Sequence, residues 1–147
     1  MKMKKSEEVL AEIHRNCALA LQSISDILPE TEDTDVREAL MKQHDEYEKL
    51  SAKAALLAQQ KSIELKNPGP IKKAMMWSSI KMNTMNDNSR AHIAEMMTQG
   101  TVMGITALKS TLSDMSDDNA DKEIKDLAQE LLHTEERFEK TWKTLIA

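Results

Sequence analysis

The side chains of this sequence with most chemical reach are four histidines, one cysteine and a few carboxylates. Their spacing decides what they can do. His14, His44, His92 and His133 fall one to each of four helical stretches. Imidazoles converging from all of them would make a metal site. At ~100° per residue, however, His133 lies on the far side of its helix from Leu131 and Phe138, and His44 and His92 sit on the flanks of their apolar stripes. His14 alone falls inside an apolar face, between Leu10 and Cys17. The His14-Cys17 pair, at i and i+3, can geometrically hold a soft metal but supplies only part of a ligand set. Cys17 in an apolar stripe reads more readily as plain core.

Depth along the helices marks a second constellation. His14, Tyr47, Gly100 and Glu135 each lie roughly 16–19 residues from an acidic link, about 25 Å along their helices. They are expected to share a layer. An imidazole, a phenol and a carboxylate beside a glycine can form a small binding site, or a hydrogen-bonded polar layer that fixes register.

The third feature is the stretch from Met75 to Leu112, with seven of the chain's 11 methionines and a GxxxG pair, Gly100 and Gly104. Methionines fill cores, but so many together also make an adaptable surface for a partner helix or an apolar ligand. Gly100 and Gly104 let another helix approach closely. Met75, Met76, Trp77, Met82 and Met85 are the expected partner-binding residues, with Trp77 as an anchor.

The elements that must position these residues are helical. Aromatic residues make up only 3% of the chain and there are 3 glycines, which disfavours sheets. With 147 residues, 40% hydrophobic and 31% charged, the chain suits a single domain (1-147) with a real core. Apolar spacing predicts helices at about 6-28, 35-65, 71-112 and 117-146, with Ser6 capping the first. Asn67-Pro-Gly-Pro70 breaks the chain before the third. Short links favour an all-α, up-down-up-down four-helix bundle.

An unbroken third helix would be about 60 Å long against roughly 35 Å for the first. Asn86-Asp-Asn-Ser89 offers poor helix formers and good caps, so a kink or break is expected there. The third helix's inward stripe is expected to include Met75, Met82, Asn86, Ser89, Ile93, Met96, Met97, Gly100 and Gly104. Both acidic links, PETEDTD and Ser113 to Asp121, should fall at one end of the bundle and lysines at the other. The net charge of −5 gives no reason to expect nucleic acid. No apolar run approaches a membrane span. A single cysteine and no signal peptide before Ser6 point to the cytoplasm.

The stretch KMNTMNDNSRAHIAEMMTQGTVMGI (Lys81 to Ile105), with the four-helix plan, resembles the ferritin-like helical bundles, and more closely small bundle proteins of anaerobic Gram-positive bacteria. That resemblance implies a di-iron centre built from a Glu on each of two helices and an E-x-x-H on each of the others. Glu130-Leu-Leu-His133 matches E-x-x-H, and His92-Ile-Ala-Glu95 carries the reverse order.

The residues themselves favour a non-catalytic cytosolic bundle acting by self-association, as a homo-oligomer, or by binding a protein partner, with no cofactor. The alternative is a degenerate ferritin-like protein or oxidase that binds iron or manganese through Glu130, His133, His92 and Glu95. A third reading is small-ligand binding at the layer of His14, Tyr47 and Glu135, which a cavity beside Gly100 would support.

Overall fold

A computed structural model of the chain describes residues 2–66, 69–85, 87–114 and 121–146. Its elements are α1 (Lys2–Ile27) with a 3-10 turn (Leu28–Glu30), α2 (Thr34–Gln60), α3 (Pro70–Met85), α4 (Arg90–Ser113) and α5 (Lys122–Ile146). There is no strand among the described residues. Five helices stand where four are expected, because the third divides between Met85 and Arg90. The side chain of Met85, Asn86, Asn67 with Pro68, and residues 115–120, where the fourth expected helix begins, lie outside the described residues.

Local chemistry sets the boundaries. Asp33 caps α2 by accepting from the Val36 amide at 3.0 Å, and Asp121 does the same for the Ile124 amide at 3.2 Å. Ser89 caps α4 through the His92 amide at 3.3 Å, while Asp87 accepts from the Ser89 amide at 3.0 Å. Ser89 is therefore an exposed cap, not a member of an inward stripe. α2 ends five residues short of the expected Leu65. Ser62 turns left-handed (φ 56°), and the Ile63 amide reaches back to the Ala58 carbonyl at 2.8 Å, which closes the helix. Ser6 does not cap α1, which begins upstream of it. Its hydroxyl accepts from the Asp121 amide at 3.1 Å and ties α1 to the start of α5.

The pairings fix the path of the chain. Gln43 meets Trp142, Tyr47 meets Glu135, Lys53 meets Glu130 and Lys61 meets Glu123, so α2 and α5 run antiparallel in steady register. Asn16 meets Gly104, and Asn88, just ahead of α4, meets Glu30, so α1 and α4 are antiparallel too. Ser23 meets Met76 and Glu30 meets Lys81, which makes α3 parallel to α1. α1 and α5 thus run one way and α2 and α4 the other, an order of up, down, down, up. For the four long helices the expected up-down-up-down order fails because α3 and α4 run in opposite directions: α3 carries the chain back along α1 before α4 sets out.

This path also overturns the expected charge layout. The first acidic link lies against Arg90 and Lys81, whereas Asp121, at the other link, lies against Ser6 and Lys61. The links occupy opposite ends. The break resets the helical phase as well. Met75 and Met82 are 67% and 71% exposed, and the inward residues of α3 are Ile80, Thr84 and the half-buried Met76. In α4, Ile93 and Met97 are buried as expected.

One core joins the long helices. Leu10, Ile13, Cys17 and Ile24 of α1 pack with Leu40, Tyr47 and Leu50 of α2, Ile93 and Leu108 of α4, and Ile124, Leu131, Phe138 and Trp142 of α5. Each such side chain contributes about 1.5–3 kcal/mol by leaving water. No described helix is long and apolar enough to cross a membrane.

Candidate functional site

Midway along the helices the core turns polar. Glu135 on α5 is 1% exposed, and its Oε2 accepts a hydrogen bond from the Tyr47 hydroxyl at 3.2 Å. The Gln43 side chain, one turn earlier on α2, lies beside Tyr47 and favours its ionised form. Gln43 Oε1 accepts from the buried Trp142 indole N–H at 2.8 Å. Two hydrogen bonds, Trp142 to Gln43 and Tyr47 to Glu135, therefore lie one turn of α2 apart between facing sides of α2 and α5.

From α1, Asn16 donates through Nδ2 to Glu12 Oε2 and to the Gly104 carbonyl, both at 3.2 Å. Glu12 also receives Arg15 at 2.9 Å. Gly104 is what lets these groups meet. A Cβ there would come closer than 3.0 Å to both Asn16 Oδ1 and Glu135 Oε2. The close approach expected of the GxxxG pair thus involves side chains of two helices, and it belongs to Gly104. Gly100, placed in the polar layer by its depth, has nothing within 4 Å of its Cβ position.

The electrostatics follow from burial. Removal from water, reinforced by the negative charge of Glu12, pushes the Glu135 carboxyl up to about 8 despite the Tyr47 hydrogen bond. Glu135 is mostly a neutral acid at pH 7. Burial first and the Glu135 charge second push the Cys17 thiol up to about 12, which removes it as a nucleophile or soft-metal ligand at neutral pH. Tyr47 is raised well above its usual value by the same two causes.

Beside this cluster lies a cavity of about 420 Å³. Leu19, Ala20 and Ile27 of α1 and Met96, Met97, Met103 and Ala107 of α4 form its walls, Met76 and Ile80 of α3 close one end, and Gly100 and Gly104 lie along it. Glu135, Tyr47, Asn16, Gln43 and Glu12 bring its polar groups, and Arg15 lies at its edge. The second oxygen of Glu135, Oε1, is buried without a hydrogen-bond partner.

Of the expected layer, Tyr47 and Glu135 come together and His14 does not. His14 stands two residues from both Glu12 and Asn16, about 200° around the helix. It faces a separate groove with Ser51 of α2 and Lys73 of α3. Glu12, Asn16 and Gln43 are the residues that the apolar pattern passes over. Glu12 and Asn16, at i and i+4, share a face flanking the buried stripe, and that spacing is the signal they carry.

The proposed metal ligands are scattered. Glu130 pairs with Lys53 at 2.7 Å, His133 and Glu95 are exposed, and His92 Nε2 lies 2.8 Å from the Asn83 carbonyl at the α3–α4 turn. In the middle of the bundle the cavity offers two carboxylates, Glu12 and Glu135, and no histidine. A di-iron centre of the ferritin-like kind needs converging carboxylates and histidines, and the described residues do not fit it. His44, Asp45 and Glu48 lie close together on the outside of α2, where His44 and Glu48 form an i, i+4 pair. No protein-family model matches this chain, and neither a curated protein nor a solved structure matches it.

Proposed function

We propose that this is a helical binding protein that holds a small, largely apolar molecule between α1 and α4, without transforming it. The observation that carries this reading is the cavity of about 420 Å³ with apolar walls and one polar cluster. Its size falls in the usual range for ligand pockets, roughly 300–1,000 Å³, and a few placed polar groups in an apolar lining are what such pockets use for orientation. Unbranched methionines on the walls let the lining adjust to its occupant. The up-down-down-up order, with α3 inside a long crossover between two hairpins, supports a ferritin-like reading of the fold. Binding of a neutral apolar fluorophore such as N-phenylnaphthylamine tests the function. Saturable binding of about one molecule per chain is expected, and Gly100→Phe, which fills the cavity, should abolish it. Absent or unsaturable binding, or binding that ignores Gly100→Phe, would sink the reading.

The outer face of α3 favours a second reading, self-association. Ile71 is 77% exposed beside Met75 and Met82, and Trp77, with Lys81 stacked 5.6 Å from its ring centre, is 49% exposed. Met76 points to the cavity end instead and leaves the expected partner-binding set.

A further inference from the structure

The polar cluster restricts what the cavity can hold. Three side chains around Glu135 already have partners. Tyr47 donates to Glu135, Asn16 donates to Glu12 and Gly104, and Gln43 accepts from Trp142. The group left without a partner is Glu135 Oε1, a buried atom on a residue that is 1% exposed and lines the cavity. A buried polar atom in this state costs free energy until something completes it.

The charges around Glu135 state what would complete it. α1 contributes Glu12, whose negative charge acts on Glu135, with Arg15 already bonded to Glu12 and half exposed. α1 also contributes Cys17, and α2 contributes Tyr47, both of which stay protonated at neutral pH. α4 contributes Gly104, Gly100 and Thr101, with no charge. No cation is paired with Glu135 among the described residues. An anionic ligand head would be repelled by Glu12 and would keep Glu135 protonated, and a neutral head would leave Glu135 without the counter-charge its ionisation needs in a medium of low polarity. A cation supplies that charge.

Resting on the reading of the cavity as a ligand site, we propose that its ligand is an amphiphilic amine, whose ammonium group pairs with the Glu135 carboxylate while its apolar body lies among Leu19, Met96, Met97 and Met103. Binding of the ammonium form displaces the proton from Glu135 to solvent, so one proton leaves for each amine bound. Affinity should accordingly rise with pH up to about 8 and level off there. Glu12, held by Arg15 and Asn16, adds a second negative charge near the head group.

Calorimetric titration of the full chain with octylamine, octanol and octanoate tests this, since the three share a tail and differ in the head. At pH 7 octylamine should bind at least tenfold tighter than either other compound. The heat in buffers of different ionisation enthalpy should report proton release. Glu135→Gln, checked for folding by circular dichroism, should bring octylamine down to the octanol level. If octanol or octanoate binds the wild type as well as octylamine, or octylamine binds without releasing a proton, the amine assignment is overturned while the ligand site stands. If none of the three binds, the ligand site itself fails.

Discussion

Tyr47 and Glu135, 88 residues apart, meet in the buried centre of the molecule, where the phenol donates to a carboxyl that has no cation beside it among the described residues. That single hydrogen bond is not enough to keep Glu135 ionised. Its pKa stands near 8 in the folded chain against 4.5 for a free glutamate. Below about pH 4.5 the group is protonated whether the chain is folded or not, and its burial carries no charge penalty. As pH rises from there through 8, the folded protein holds a proton that the unfolded chain has released, so stability falls and then levels. At about 1.4 kcal/mol per unit, the loss is a few kcal/mol. Urea melts from pH 5 to 9 should show this decline in the wild type and a much flatter profile in Glu135→Gln. Equal slopes would mean that Glu135 is not the titrating group.

The two glycines of α4 should respond in opposite ways to alanine. At Gly100 the new methyl meets nothing, and removing a helical glycine gains about 0.5–1 kcal/mol. At Gly104 the methyl runs into Asn16 and Glu135, both buried and both hydrogen-bonded. Gly104→Ala should therefore destabilise by about 1–3 kcal/mol, the usual cost of overpacking, despite its better helix propensity. Melting the two variants side by side decides it, and a stabilised Gly104→Ala would show that the polar cluster yields freely.

The long apolar stripes were legible from spacing alone. Leu10, Ile13 and Cys17, and likewise Leu127, Leu131, Phe138 and Trp142, repeat at helical intervals and are buried. The meeting of Tyr47 and Glu135 was legible too, though for an incidental reason. The acidic links lie at opposite ends, but a residue near the middle of a helix is near the middle from either end. The reversal between α3 and α4 was not legible, because cap residues announce a boundary and not the angle beyond it. Projecting one helical phase through that boundary put Met75 and Met82 inside. Glu12 and Asn16 escaped because polar residues in a helix read as solvated until a facing glycine makes room for them.

Cys17 should be inert in the folded protein. Its thiol is buried and its pKa is raised to about 12, chiefly by loss of hydration, so the thiolate population at pH 8 is negligible. Labelling with a maleimide or a disulfide reagent should be slower by orders of magnitude than in denaturant, and should follow the rate of opening. Rapid labelling of the native chain would contradict the packing of α1.

α3 offers the sharpest separation between holding the fold together and acting on something outside it. Its inner face is engaged: Ile80 is 7% exposed, Met76 contacts Ser23, and Lys81 pairs with Glu30. Ile80→Ala should thus cost about 2–5 kcal/mol, as truncation of a buried isoleucine does. Met82 lies on the outer face, where a substitution touches little, and Met82→Lys should change stability by less than about 0.5 kcal/mol. If the outer face joins two copies of the chain, light scattering over a concentration series should show association in the wild type that Met82→Lys and Trp77→Ala weaken, with Ile80→Ala acting only through folding. A wild type that stays monomeric at high concentration would remove the self-association reading. Association untouched by both outer variants would place the contact elsewhere.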